Sequence, residues 1–528
     1  RKWMSSAGSG MAWVLACCLA FAADSEVAFV IESPAADGDM AGPVAALSRQ
    51  VLAAQRAGRI EVPAASLAHL WVAAGDAGEA ERAIAAVIHE LEQAGDADRA
   101  RRWVPYLLHA HAGAGGLTRA RDAAYAEAFN RHVAPLDDLA ALDTYYWFVG
   151  DPARAERQLH EAIAGHRDQP RIALQDALVL ARLQAFVATY REATHLAGAL
   201  IREDQSRRFI IEDDVLVATP QGVQLSAVVV RSRTATAPAP AAMLFTIYTD
   251  PDRNLVEAAH AAARGYVGVV VDARGKRLGT DAIQPYETEA DDAAAAVEWI
   301  ARQPWSDGRV AMYGGSYSGF AAWAAAKRMP PALKTIVAYV AAIPGQGLPM
   351  ENNIFLTANY AWPFYVANNR MLDHDTYADR ERWHQLPETW YASGRPYREI
   401  DRVDGTPNPW LQRWLSHPAY DDYWQAMVPY GEEFSRIDIP VLSITGYYDD
   451  GQISALQYFR EHVRHRPDAA HYLVIGPYDH FGAQAPVKPR NVGGYDIDPV
   501  AQFDTQALTF EWLDHVLRGG PRPALLRD

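Results

Sequence analysis

The stretch Arg309-Val310-Ala311-Met312-Tyr313-Gly314-Gly315-Ser316-Tyr317-Ser318-Gly319-Phe320 decides the fold. An apolar run ends in glycines around one serine, and an alanine-rich stretch, Ala321 to Lys327, follows. That order predicts a strand, a tight turn and a helix, with Ser316 at the apex. Such a turn lifts a serine hydroxyl clear of a sheet, where a carbonyl can reach it. Glycine suits the apex because the backbone there is strained and close to its neighbours. The five-residue elbow pattern asks for glycine two positions after the serine, but Ser318 stands there and Gly319 follows. Alone, the segment also fits an ordinary glycine-rich strand-to-helix turn.

Two later segments extend this chemistry. A serine nucleophile needs a base to take its proton and an acid to hold the base in place. Ile439-Pro440-Val441-Leu442-Ser443-Ile444-Thr445-Gly446-Tyr447-Tyr448-Asp449 reads as a buried strand ending in a carboxylate at a loop. Tyr472-Leu473-Val474-Ile475-Gly476-Pro477-Tyr478-Asp479-His480 reads as another apolar strand, with a histidine in the loop that follows. In the α/β-hydrolase arrangement the triad occurs in the chain order Ser, Asp, His. Three apolar strands here deliver Ser316, Asp449 and His480 in that order, at the strand ends where open α/β sheets bind ligands. A lone histidine after a strand is usually structural or solvated. Three correct types, in order and each after a strand, are hard to obtain by accident.

Gly314-x-Ser316-Tyr317-x-Gly319, Gly446-x-Tyr448-Asp449 and Gly476-Pro477-x-x-His480 resemble the cocaine esterase and α-amino-acid ester hydrolase family, relatives of the X-Pro dipeptidyl peptidases. Thr219 to Leu225, Val271-Asp272-Ala273-Arg274-Gly275, Glu289-Ala290-Asp291-Asp292, Trp305-Ser306-Asp307-Gly308 and His417-Pro418 extend the likeness over about residues 208 to 520. The resemblance implies a serine hydrolase without a cofactor or metal. It also implies an oxyanion hole made by a tyrosine hydroxyl after an early strand and the backbone N–H of the residue after the serine. Those positions are Tyr248, at the end of Ala242 to Ile247, and Tyr317. A phenol and an amide held in place can stabilise the oxygen of a tetrahedral intermediate. On residue grounds alone Tyr248 also fits an aromatic at a strand edge.

A chain of 528 residues suggests several domains, and half of it is hydrophobic, as in globular proteins. The formal charge of −16 argues against nucleic acid or an anionic membrane as partner. Arg1-Lys2 and the apolar run Met11 to Ala22 resemble an export signal of residues 1–23, too short to span a membrane. This points to a periplasmic or secreted protein, in preference to one lipid-anchored at Cys17 or one with a buried N-terminal helix. Both cysteines of the chain lie in that run, so the remainder has neither disulfides nor thiolate metal sites.

Residues 24–205 are alanine-rich with recurrent breaks at Gly75-Asp76, Gly95-Asp96, Gly115-Gly116 and Gly150-Asp151. Glycine stops helices and aspartate caps them, so the pattern predicts helical hairpins reminiscent of tetratricopeptide repeats. Such arrays bind partners or self-associate, or simply pack beside an enzyme. Residues 206–528 form the expected α/β-hydrolase domain. The Ala-Thr-Pro run Thr234 to Pro240 reads as a loop, and an aromatic-rich cap interrupts the alternation at about 345–435. Its Tyr360, Trp362, Phe364, Tyr365 and Trp390 line an acyl pocket or form the cap's own core. Phe503 to Gly519 reads as the last sheet-covering helix. The family's C-terminal β-sandwich is missing from the sequence, which suggests truncation.

There is no phosphate-binding loop, zinc helix or EF-hand loop. Two classes therefore stand: a serine hydrolase of small esters or amides, including X-Pro peptidase-like and α-amino-ester hydrolases, and a helical-repeat binding protein on a hydrolase-like scaffold. Relatives acting on α-amino esters carry acids just after the triad aspartate. Here Gly451 and Gln452 stand two and three positions after Asp449, and Glu351 is a lone candidate carboxylate in the cap. A preference for neutral acyl esters follows.

Overall fold

The computed structural model describes residues 29–30, 40–114, 118–166, 171–351, 354–486 and 488–527. The expected export signal and Gly115-Gly116 lie outside these. The chain divides into two compact units, Arg1–Gln205 and Ser206–Asp528.

In the first unit helices run from Ala41–Arg56 to Leu174–Arg208, joined by the punctuation that the sequence contains. Gly75 takes φ +76 and ends the helix Ala64–Ala74, and the Asp76 side chain then accepts from the Glu79 N–H to open Ala77–Gln93. Asp96 and Asp151 cap Ala97–Arg101 and Pro152–Ala164 in the same way. The cores are aliphatic and aromatic, with Val44, Leu47, Val51, Leu70, Ile163 and Leu180 in one cluster and Ile84, Leu107 and Tyr190 in another. One feature departs from an all-helical expectation: Phe29–Val30 pairs antiparallel with Arg171–Ile172. Among the described residues no helix is long and apolar enough to cross a membrane.

The second unit is built on an eight-stranded sheet. Its strands are β1 (Phe209–Ala218), β2 (Gln224–Ser232), β3 (Ala239–Thr246), β4 (Val267–Asp272), β5 (Ser306–Gly315), β6 (Leu333–Tyr339), β7 (Val441–Gly446) and β8 (His471–Gly476). They lie in the order 1-2-4-3-5-6-7-8; β1, β2 and β4 pair antiparallel and the rest parallel. Parallel strands carry helices on both faces, so they read as unbroken apolar runs, and all six residues of β4 are buried. The helices that matter here are α1 (Pro251–Ala263), α2 (Glu289–Ala301), α3 (Tyr317–Arg328), α4 (Trp362–Ala367), α5 (Gln452–His465), α6 (His480–Gln484) and α7 (Thr505–Arg518). Alternating strand residues divide between them. Met243, Phe245, Val271 and Met312 pack with α2 and α3, while Ala242, Ala311, Val337 and Ile444 pack with Leu508, Phe510 and Trp512 of α7.

One boundary differs from the sequence reading. β3 begins at Ala239, inside the expected loop, and its register against β5 shifts between Ala239 and Ala241. Proline is tolerated in a strand at such an irregularity. Phe209–Ala218 is one strand, with a register shift against β2 between Glu212 and Val215.

Between β6 and β7 short helices and turns form the cap. It is anchored by the turn after β4. The buried Lys276 ammonium donates to the carbonyls of Val366, Asn369 and Met371 at 2.7 to 3.0 Å. Burial brings its pKa down to about 8. The same turn is tied to α2 by Arg274, whose Nε and Nη2 donate to the two oxygens of buried Asp292 at 2.9 and 2.6 Å.

Candidate active site

Ser316 sits between β5 and α3 with φ +57 and ψ −118, a conformation L-residues adopt only when their surroundings impose it. The impositions are visible. Its N–H donates to the Tyr339 carbonyl of β6 at 2.9 Å, and its carbonyl accepts from the Phe320 N–H at 2.9 Å. A Cβ on Gly314 (φ +152) would lie 2.5 Å from the Ser318 Cβ. The room that Ser318 occupies, where the elbow pattern has glycine, is thus left by Gly314. A Cβ on Gly315 would meet the Gln484 Oε1 at 2.0 Å, so α6 lies directly against the elbow.

That helix begins with His480. The Asp479 side chain accepts from the Gly482 N–H at 2.7 Å, and the Gln484 amide donates to the His480 carbonyl at 2.8 Å. Beyond α6, the buried Lys488 ammonium donates to the Ala483 and Ala485 carbonyls and to the Thr505 hydroxyl, fixing the segment on α7.

The His480 Nδ1 lies 2.8 Å from Asp449 Oδ1. Asp449 is buried and also accepts from the Thr445 hydroxyl at 3.0 Å and the Gly451 N–H at 2.9 Å. Burial alone would raise this carboxyl, but the bond and charge of His480, with those two donors, hold it below the usual carboxylate value. Burial would likewise lower His480, yet the hydrogen bond to Asp449 and the charges of Asp449, Asp450 and Asp479 carry it above an ordinary histidine. Asp450 reaches the same nitrogen only at 3.5 Å, with its side chain 72% exposed. With Nδ1–H given to Asp449, Nε2 is left with the lone pair that can accept a proton.

Tyr248 follows β3. Its hydroxyl accepts from the Trp362 indole N–H at 3.1 Å. Burial raises the phenol to about 12, partly offset by hydrogen bonds with Trp362 and with the Ser316 side chain. It therefore stays protonated at neutral pH beside the serine. Tyr317 opens α3, where a backbone N–H has no partner within the helix. Its side chain is fixed from below: the hydroxyl donates to Glu289 and accepts from the Tyr286 N–H at 3.2 Å. Burial pushes Glu289 up to about 8.

The structure thus gathers Ser316, Tyr248 and Tyr317 at one elbow and joins Asp449 to His480 on the helix beside it. Glu351 lies in the cap, on the two-residue strand Met350–Glu351 paired with Ile354–Phe355. Sequence reasoning gave no role to Thr445 or Gln484. It took Glu289 as part of a motif run and Trp362 as a cap aromatic. Of the other cap rings, Tyr360 bonds Asp404 at 2.9 Å and Phe364 stacks on Trp383 within the cap, whereas Tyr365 approaches Tyr248.

Residues 221–482 match the family described as X-Pro dipeptidyl-peptidase (S15 family), and all five of these site residues fall inside the match. Cocaine esterase from Rhodococcus sp. (strain MB1 Bresler) is 27% identical over 267 residues, covering 48% of this chain and 45% of that protein. The chain spans under half the length of the curated relatives it matches. Among solved structures, an α-amino acid ester hydrolase labelled with selenomethionine aligns over 60% of this chain and 56% of its own, at 22% identity and TM-score 0.48. An aminopeptidase from the marine sediment archaeon Thaumarchaeota archaeon aligns over the same shares at 18% identity and TM-score 0.47.

Proposed function

We propose that this chain, whose residues 221–482 match the family described as X-Pro dipeptidyl-peptidase (S15 family), is a serine hydrolase that cleaves acyl esters through an acyl-enzyme on Ser316. The observation that carries this reading is the buried, triply bonded Asp449 held 2.8 Å from a histidine on the helix packed against a strained serine.

In this mechanism His480 Nε2 takes the Ser316 proton as Oγ attacks the ester carbonyl. Asp449 keeps the imidazole in the required tautomer and stabilises the imidazolium. The carbonyl oxygen gains negative charge between the Tyr248 hydroxyl and the Tyr317 N–H, donors fixed before the reaction begins. His480 returns the proton to the leaving alcohol, and water, deprotonated by His480, releases the acid. Neutral acyl groups are favoured. Gly451 and Gln452, two and three positions after the triad acid, supply no carboxylate for a substrate ammonium; the Gly451 N–H is committed to Asp449 and the Gln452 amide donates to the Tyr447 carbonyl. An unpaired ammonium would be costly to desolvate.

The apolar segment Met11 to Ala22 supports export. The helical unit supports a role in partner binding or self-association, tested by the oligomeric state of the intact chain. The catalytic reading itself is tested by a fluorophosphonate probe with mapping of the modified residue: labelling at Ser316 supports it, and labelling elsewhere or none contradicts it.

A further inference from the structure

We infer that Trp362, supplied by the cap, is a positioning residue that aims the Tyr248 hydroxyl at the reacting oxygen; this rests on the hydrolase reading above.

An indole N–H can only donate, so in the 3.1 Å contact the Tyr248 oxygen is the acceptor and its own proton is left to point elsewhere. The Ser316 side chain also lies within hydrogen-bonding reach of that hydroxyl. The phenol proton is thereby directed to the side where the oxyanion forms. A donor that itself accepts a hydrogen bond is polarised and donates more strongly, and more so in a water-poor site. Two effects therefore combine, orientation and polarisation, and both act through Tyr248 without Trp362 touching substrate.

Trp362 is well held for this task. It is buried at 9% exposure and opens α4, with Pro363 next to it in the first turn. Its ring stacks on Tyr286 (5.4 Å, 24°) and tilts against Tyr317 (5.8 Å) and Trp414 (6.3 Å). Tyr286 in turn gives its N–H to the Tyr317 hydroxyl. The side chain that orients one oxyanion donor is thus packed on the residue that carries the other. Cap seating and oxyanion geometry are one assembly, and α4 is itself pinned by the Lys276 bond to the Val366 carbonyl.

The test is a double-mutant cycle on the full chain with a neutral p-nitrophenyl acyl ester. Trp362→Phe should lower kcat by about 3- to 10-fold, the worth of one neutral hydrogen bond, with KM within about twofold. Tyr248→Phe should cost about 100-fold or more. Adding Trp362→Phe to Tyr248→Phe should then cost nothing further in kcat. Equal losses in both backgrounds, or a change confined to KM, would make Trp362 a pocket wall and overturn the inference. A Tyr248→Phe or Ser316→Ala protein as active as the parent would instead refute the underlying hydrolase reading. If Trp362→Phe does not fold, replacement of Trp362 by benzothienylalanine, which keeps the ring shape and lacks the N–H, must give the same kcat loss, and an unchanged kcat overturns the proposal.

Discussion

His462 and His471 face each other Nδ1 to Nδ1 across 3.1 Å, with His462 fully buried and His471 nearly so. Their protons can be placed. The Ile437 carbonyl can only accept, so His462 donates through Nε2 at 3.0 Å and its Nδ1 must accept. His471 then donates through Nδ1, and its Nε2 accepts the Ser443 hydroxyl proton at 2.8 Å. With both rings neutral, the run from Ser443 through His471 and His462 to the Ile437 carbonyl has a donor for every acceptor. A proton on either ring would place a positive charge in this buried run between α5 and β8, beside the strand that leads to Asp449.

A pH dependence of stability follows. Burial lowers both histidines, with the Arg466 charge adding to it at His462 and the neighbouring His462 at His471. The unfolded chain titrates near the ordinary value of about 6.5, so below that pH it binds protons that the folded chain refuses. This contribution to stability is complete above about pH 6.5 and is lost as pH falls, by up to about 1.4 kcal/mol per pH unit for each histidine. Chemical denaturation at pH 7.5 and pH 5 should show the loss. A His471→Gln variant should be less stable at pH 7.5 and have a shallower dependence; an unchanged slope would contradict a buried, neutral histidine pair.

The second prediction separates two adjacent acids. Asp449 is buried with three partners, while Asp450 is exposed and more distant from His480. Asp449→Asn should lower kcat by about 10⁴-fold through the wrong tautomer. Asp450→Asn should cost under about tenfold, as for a screened surface charge. In the parent enzyme kcat/KM should fall on the acid side with an apparent pKa above the ordinary histidine value, because His480 must be neutral to take a proton. If Asp450→Asn proves the more damaging change, the roles of the two acids are reversed.

A third concerns the support under the elbow. Tyr317→Phe removes the donor to buried Glu289 and leaves the Tyr286 N–H without its acceptor. The expected cost is about 1–3 kcal/mol of stability, read from the denaturant midpoint. A midpoint equal to that of the parent would show that this buried contact contributes nothing.

A fourth concerns substrate. In paired assays of one acyl ester with and without an α-amino group, the neutral ester should turn over at least as well. Strong preference for the aminated form, lost on Glu351→Gln, would identify an ammonium site in the cap and reverse the substrate assignment.

Much of this site is legible in the sequence because its central members follow continuous apolar strands. Ser316, Asp449 and His480 each stand within a few residues of a strand end, so strand pattern and residue type locate them together. The supporting contacts are tertiary and leave no local trace. Trp362 and Tyr248 are 114 positions apart, and Tyr317 and Glu289 are 28 apart. Gln484 reaches the elbow from α6, the helix that follows another strand. The cap is read poorly for a related reason: its helices are short, such as His374–Tyr377 and Asp422–Gln425, so neither strand nor helix periodicity has room to appear.

The central claim is covalent chemistry at Ser316, and the most direct measurement compares purified parent and Ser316→Ala protein by p-nitrophenyl ester hydrolysis and fluorophosphonate labelling. The account predicts no labelling of the alanine variant and a loss of turnover by several orders of magnitude, since removing the nucleophile closes the covalent route. Undiminished hydrolysis by Ser316→Ala protein would contradict it.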